Sequence, residues 1–408
     1  MPTDLVAKLR AFHTVAGRST AAPPSPPALH DLLGGHDAPT PEGDCFVVER
    51  AYPLAHRHGA LELGHGFALT GLTRQLLAHL AGGPFDPGSA LFLDTETTGL
   101  AGGTGTYAFL VGLGYRDGDR FLVRQLFLRH PAHEPALLHA LGTTLARFAT
   151  WVTFNGKAFD APLLATRFQC VRREPLPAPA RHLDLLPLAR RLWRTRLPSC
   201  ALGVLERALL SVERGDDIPS WRIPEAYFAY VHRGEAAVLP AIFAHNAADI
   251  LSMAALLGYC DAAIRAPHSH ANRLDPLALV RLLHRVGLVH DALAWGEAAL
   301  AALPADEQRP LRWELARLHY RHGAAAMAVA HWRALATGGG PWAVRAFEAL
   351  ARHYERRERD YAAAQRVTAA ALTALHLCPG AASPMAHERL ERRLARLWFR
   401  SRLAARSR

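Results

Sequence analysis

Lysine is almost missing from this chain of 408 residues: of its 47 basic residues only Lys8 and Lys157 are lysines, and the rest are arginines. Cysteine is sparse and poorly placed for bridging. Cys45, Cys170, Cys200, Cys260 and Cys378 are odd in number and contain no CxxC pair, which excludes a disulfide framework or a zinc knuckle and points to a reducing cytoplasm. The opening stretch MPTDLVAKLRAFHTVAG carries Asp4, Lys8 and Arg10 where a signal peptide needs an unbroken apolar core. No uncharged apolar run of 18 residues occurs elsewhere, so no membrane span is expected. The glycine-rich GLAGGTGT at 99–106 lacks the Gly-Lys-Ser/Thr ending of a phosphate-binding P-loop, and reads as a flexible connection or a plain hairpin loop.

What is present is unevenly spread. The net charge is +11, yet residues 1–89 sum to −2 and residues 344–408 to +8. A basic end of that size suits a polyanion such as nucleic acid, or simply a solvated arginine-rich surface. In the last 22 residues Arg389, Arg393, Arg396 and Arg400 fall at 4-3-4 spacing, a helix face able to track a backbone, with Leu390, Leu394 and Leu397 as the stripe that docks.

Residues 1–89 are weakly patterned, with a proline-rich linker in AAPPSPPAL (21–29) and a break at GGPFDPGSA before residue 91. Three strands are expected next, in ALFLDTET, YAFLVGLGY and DRFLVRQLFL, the last two joined by an Asp-Gly turn in RDGD. Helical spacing over 134–149, a short strand at 151–154, and helices over 158–169 and 184–196 complete a mixed α/β domain at 90–265. From about residue 272 onward the strand signal is gone. Ala292, Ala328 and Ala364 recur every 36 residues, as do Gly287, Gly323 and Arg359 in the turn slot, which resembles tetratricopeptide repeats except for the missing third glycine. The domains expected are therefore an extension (1–89), an α/β domain (90–265) and an all-α helical repeat domain (272–408) with a basic tail.

Chemistry concentrates in the α/β part. Strand alternation puts Phe92, Asp94 and Glu96 on one face, and two like charges so close need a cation between them. Asp160 stands at the start of a helix in WVTFNGKAFDAPLL. Asp249 lies one helical turn after His245 in FAHNAADILSMAALL, so the two share a face. Four carboxylates of this kind are the donor set that hydrolysis of phosphodiesters uses to hold two Mg²⁺ or Mn²⁺ ions.

The motifs DTETTG, NGKAFDAPLL and HNAAD together resemble the three exonuclease motifs of the DEDD superfamily, whose fold is ribonuclease H-like. With LERALLSVERGDDIPSWRIPEAYFAY and ARHYERRERDYAAA, they are similar to the YprB-like ribonuclease H-like family. The resemblance implies a central mixed sheet with flanking helices and a 3′–5′ exonuclease on single-stranded DNA or RNA. It implies Asp94, Glu96, Asp160 and Asp249 as ligands of two divalent ions, and His245 as the residue that activates or orients water. Here the chain departs from the pattern. One branch of the superfamily has tyrosine four residues before the last Asp and another has histidine five before, whereas His245 stands four before Asp249. General base and orienting group both remain open. Thr95, Thr97, Asn155, Lys157 and Phe159, beside the motif carboxylates, are the expected substrate contacts. Asp184 is expected to be structural, and Trp221, Tyr227, Phe228 and Tyr230 to pack rather than stack on bases. The alternatives are an endonuclease of the same fold, or a binding or scaffold protein whose nuclease domain is degenerate and whose repeats recruit a protein partner.

Overall fold

The computed structural model describes residues 26–99, 105–172, 174–215, 217–270, 274–377 and 384–406. Most of the 99–106 loop and the first 25 residues lie outside them. The chain divides into two compact units, Met1–Ala266 and Pro267–Arg408.

The first unit is built on a seven-stranded sheet in the order β1-β2-β7-β6-β5-β8-β9. Its strands are β1 (His36–Thr40), β2 (Gly43–Pro53), β5 (Leu91–Thr97), β6 (Ala108–Asp117), β7 (Arg120–Phe127), β8 (Thr150–Thr153) and β9 (Arg181–Asp184). A small hairpin, β3 (Arg57–His58) and β4 (Leu61–Glu62), lies outside it. Five strands from β1 to β5 pair antiparallel, and β8 and β9 continue in parallel beside β5. The mixed α/β sheet anticipated from the strand pattern is present, together with strands that the pattern did not reveal. β1 and β2 belong to the stretch set apart as an extension. Their residues Cys45–Val48 are buried against the core, so this stretch is part of the sheet.

Helices α1 (Pro26–Leu33), α2 (Gly71–Ala81), α3 (Glu134–Leu145), α4 (Asp160–Arg167), α5 (Leu185–Trp193), α6 (Ile223–Arg233) and α7 (Leu239–Arg265) flank the sheet. Several are shorter than their hydrophobic spacing suggests: α4 starts at Asp160, and α5 at Leu185, capped by the Asp184 side chain. Helix α7 crosses β5, β6 and β7. Two glycines of β6, two residues apart and so on one face, let it come close. A Cβ on Gly114 would lie 2.4 Å from Ile250 Cγ2, and one on Gly112 would lie 2.2 Å from Asn246 Oδ1. Among the described residues α7 is the one helix long and apolar enough to cross a membrane, and 83% of that window is buried within the protein. Tyr227, Phe228 and Tyr230 pack into the core as expected, with Tyr227 stacked on Phe109 at 4.0 Å, while Trp221 is 75% exposed.

The second unit is all-helical: α8 (Pro276–Arg285), α9 (Val289–Leu300), α10 (Ala305–Arg321), α11 (Ala325–Ala336), α12 (Gly340–His353), α13 (Tyr361–Leu377) and α14 (Pro384–Arg406), with a short turn at Pro267–His270. Ala292, Ala328 and Ala364 are all fully buried between helices. Gly287 (φ 86°), Gly323 (φ 88°) and Arg359 (φ 55°) share a left-handed backbone at equivalent turns, so the third turn holds this conformation without a glycine. The arginine face of α14 forms, and its members are engaged within the helical unit. Arg393, Arg396 and Arg400 turn onto the buried Glu355, and Arg389 approaches Glu348 at 3.7 Å, so these arginines are paired, though Arg389, Arg396 and Arg400 stay about half exposed. Leu390 and Leu397 dock beside them in the core.

Candidate active site

β5 leaves the core with Phe92 fully buried and presents Asp94 and Glu96 next on the same face. Across the sheet Asp94 pairs with Gly112, which pairs in turn with Gln125 on β7. The missing side chain at Gly112 makes room for Asn246 of α7, whose Nδ2 donates to Asp94 Oδ2 at 2.9 Å. Gln125 Nε2 donates to Asn246 Oδ1 at 2.9 Å and to the Phe243 carbonyl at 2.8 Å. The bond from Gln125 to Asn246 Oδ1 fixes which way the Asn246 amide points, and so holds the Asp94 carboxylate through a buried relay. Asn246 was not singled out in the sequence. Its signal was its place beside His245; the glycine that makes room for it is on β6, next to β5.

One turn of α7 carries His245 and Asp249 to the same spot. A ligand atom from each of Glu96, His245 and Asp249 lies within 4.8 Å of the others. His245 Nε2 is 3.6 Å from Asp249 Oδ2. Its Nδ1 is approached by Asp217 Oδ1 at 2.7 Å and by Arg214 Nη1 at 3.2 Å. The two cannot both be partners of one protonation state. The shorter contact is to an anion, so Nδ1–H donating to Asp217 is favoured, which leaves the Nε2 lone pair facing the carboxylates.

Asp160 opens α4, buried, with its Oδ1 accepting from the Thr95 hydroxyl at 2.5 Å. The far end of α4 is tied down by the buried Arg167–Glu134 pair, Nε to Oε1 2.6 Å. The loop before α4 hangs on Asp184, which accepts from the amides of Asn155 (2.8 Å) and Lys157 (3.2 Å). Asn155 takes a left-handed backbone (φ 70°) there, a conformation asparagine tolerates. Lys157 and Phe159 are exposed, Phe159 by 54%, so both side chains are accessible. Thr97 donates its hydroxyl to the Gly99 carbonyl at 3.0 Å and is half-buried. Thr95 and Thr97 are thus engaged inside the protein.

The electrostatics record the crowding. Burial pushes Asp94 well above the carboxylate range, with the charges of Asp249, Asp160 and Glu96 adding to it against the Asn246 bond. Burial also raises Glu96 to about 7, and Asp160 to about 6 against the opposing Thr95 bond. Asp249 is raised by burial as well, with Arg214 and His245 pulling the other way. Arg214 is the cation that no motif predicted. Its Nη2 contacts both Asp249 and the buried Glu206, and its Nη1 lies 3.5 Å from Asp217. Glu206 in turn accepts from Ser252 Oγ at 2.5 Å, and Ser252 meets His58 Nε2 at 2.7 Å. A cleft of about 680 Å³ opens beside this group, lined by His58, Arg214, Asp217 and His245 among others.

A mixed sheet of this order, with acidic side chains converging at the end of β5, has a match among known families. Residues 91–260 are an RNase H superfamily domain. The match runs from β5 into α7 and so contains every carboxylate of the cluster. Over 215 residues the chain is also 36% identical to a Bacillus subtilis (strain 168) protein, "Uncharacterized protein YprB". The aligned stretch is 52% of this chain and 52% of that protein, so the chain spans about half the length of the curated relative it matches. The RNase H domain supports a nucleic-acid hydrolase in general, and its acidic cluster a divalent ion. The donors fit such an ion: they are carboxylate oxygens, suited to Mg²⁺ or Mn²⁺, and their mutual repulsion is relieved by cationic charge.

Proposed function

We propose that the RNase H domain hydrolyses phosphodiester bonds with two divalent ions, as a 3′–5′ exonuclease on single-stranded DNA or RNA. The observation that carries this reading is the meeting of Glu96, His245 and Asp249 within 4.8 Å, beside Asp94 and Asp160. Asp94, Glu96, Asp160 and Asp249 would hold the ions. When bound, Mg²⁺ or Mn²⁺ supplies positive charge to the phosphoryl oxygens and acidifies a water.

The chain's own residues do the rest. The Asn246–Gln125 relay keeps Asp94 in one orientation, and Thr95 does the same for Asp160. With Nδ1–H donated to Asp217, His245 Nε2 is free to take a proton from the attacking water or to aim it. The 680 Å³ cleft along Arg214 and His245 offers a nucleotide a place to lie, with Arg214 as its cationic wall. Lys157 and Phe159, exposed beside Asp160, suit backbone and base contacts respectively. The half-exposed arginines of α14 suit a longer single strand, and the helical unit, read as tetratricopeptide-like, suits a protein partner.

The test is digestion of single-stranded DNA and RNA labelled at the 5′ end, with the 3′ end free or blocked. A stepwise ladder that vanishes when the 3′ end is blocked is expected. Internal cuts that survive the block would replace the exonuclease reading with an endonuclease of the same fold, and absence of any product would overturn both.

A further inference from the structure

A second cluster of metal-ligand side chains lies in the helical unit, separate from the carboxylate site and independent of its reading. It joins three successive helices: Glu297 on α9, His319 on α10 and His331 on α11. His319 Nε2 is 2.9 Å from Glu297 Oε1, and His331 Nε2 is 2.7 Å from the same oxygen. The imidazoles lie nearly parallel, 19° apart with centroids separated by 5.6 Å. One ligand atom from each residue falls within 4.8 Å of the other two. Both histidines are buried, at 8% and 6% exposure, while the glutamate side chain is one-third exposed and opens the cluster to solvent.

The packing brings these helices unusually close. A Cβ on Gly296, next to Glu297, would lie 2.6 Å from Leu315 Cδ2 of α10, so a larger residue there would have to displace that leucine. Ala328, at the start of α11, is likewise fully buried.

We propose that Glu297, His319 and His331 form a binding site for a borderline first-row dication, zinc above all, that fastens α9, α10 and α11 together. Two imidazoles and one carboxylate are a recurrent zinc donor set, with water as the fourth ligand. A tetrahedral zinc holds its ligands at about 2.1 Å and so spaces them roughly 3.4 Å apart. The two His–Glu gaps therefore need to widen by only about 0.5–0.7 Å, within the reach of side-chain rotation. Coordination takes the two Nε2 lone pairs, and each ring then carries its proton on Nδ1. Hard Mg²⁺ is a poor match for two nitrogens, so the two sites of the protein sort different ions.

The experiment uses the full chain, stripped with chelator and then held in excess Mg²⁺ to fill the carboxylate site. Zn²⁺ is titrated by calorimetry, and Co²⁺ by its visible ligand-field bands. One Zn²⁺ per chain is expected, with tetrahedral Co²⁺ absorption and a rise in Tm. His331→Gln and Glu297→Gln should each weaken that site by at least about tenfold and abolish the Tm rise. Circular dichroism checks that each variant folds, and Glu297→Gln, which keeps the shape and one acceptor, serves if His331→Gln does not. Zn²⁺ binding and Co²⁺ spectra unchanged in a folded variant, or no stoichiometric Zn²⁺ site in the wild type, would show a hydrogen-bonded His–Glu–His cluster only and overturn the proposal.

Discussion

Arg214 lays its guanidinium on Asp249 while the same nitrogen reaches the buried Glu206, so the last carboxylate of the site already has a cation beside it. Removing one partner of a buried pair leaves the other charge uncompensated. Arg214→Gln should therefore destabilise the protein in chelator by about 3 kcal/mol. Mn²⁺ should restore much of that, because it binds the native state alone. Thermal melts with and without Mn²⁺ check this: the variant should gain more Tm from the ion than the wild type. Equal gains would mean that Arg214 and the ion do not share Asp249.

The raised carboxylates make a pH prediction with a definite sign. Glu96 sits at about 7 and Asp160 at about 6, both above their unfolded values near 4, so the native state holds protons that the unfolded chain has released. Their contribution to stability is complete below about pH 4 and is lost as pH climbs through 6 and 7. In chelator, the wild type should lose on the order of 2 kcal/mol from Glu96 between pH 5 and pH 8. Glu96→Gln should lose less across the same interval. Parallel pH profiles of the two proteins would show that Glu96 is not held protonated.

His245 tests whether the proton moves where Asp217 directs it. His245→Ala should lower turnover by about a hundredfold while the protein stays folded. Asp217→Asn, which no longer accepts from Nδ1–H as an anion, should lower turnover by less while leaving the ring in place. If His245→Ala keeps wild-type turnover, the histidine only packs.

Arg359 gives a prediction about the helical unit alone. It holds the left-handed turn conformation that Gly287 and Gly323 hold in the preceding turns. A side chain there costs about 1 kcal/mol, so Arg359→Gly should raise stability by roughly that amount in a denaturant titration. A loss would mean that the arginine side chain makes a contact worth more than the strain.

The sequence was readable wherever chemistry or periodicity repeats within a few residues. Asp94 and Glu96 two apart, and His245 and Asp249 four apart, were legible because strand and helix geometry turn those spacings into shared faces. The buried alanines at a period of 36 were legible for the same reason. What stayed hidden depends on contacts between distant segments. Arg214 looked like one arginine among many, and only the fold brings it 35 residues along the chain to Asp249. Asn246 gains its role from Gly112 and Gln125, on strands that sequence order does not place beside it. β2 does hold the short apolar run Cys45–Val48, but Pro39, Asp44, Glu49 and Arg50 around it break any alternation, and its partner β7 lies far along the chain, at Arg120–Phe127. The arginine spacing of α14 was correct as a helix face, but the buried Glu355 that claims three of those arginines lies 38 residues before the first.

Cleavage of an end-labelled single strand by the full chain in Mn²⁺, run beside Asp94→Asn and Asp249→Asn, tests the central claim most directly. The wild type should release product in Mn²⁺ and none in chelator. Each variant should be at least about a hundredfold slower, and Asp94→Asn should melt in chelator no lower than the wild type, since it relieves a crowded group, whereas Asp249→Asn also takes a partner from Arg214. Cleavage that persists in chelator, or that survives in either variant, would contradict a metal-dependent site built from these carboxylates.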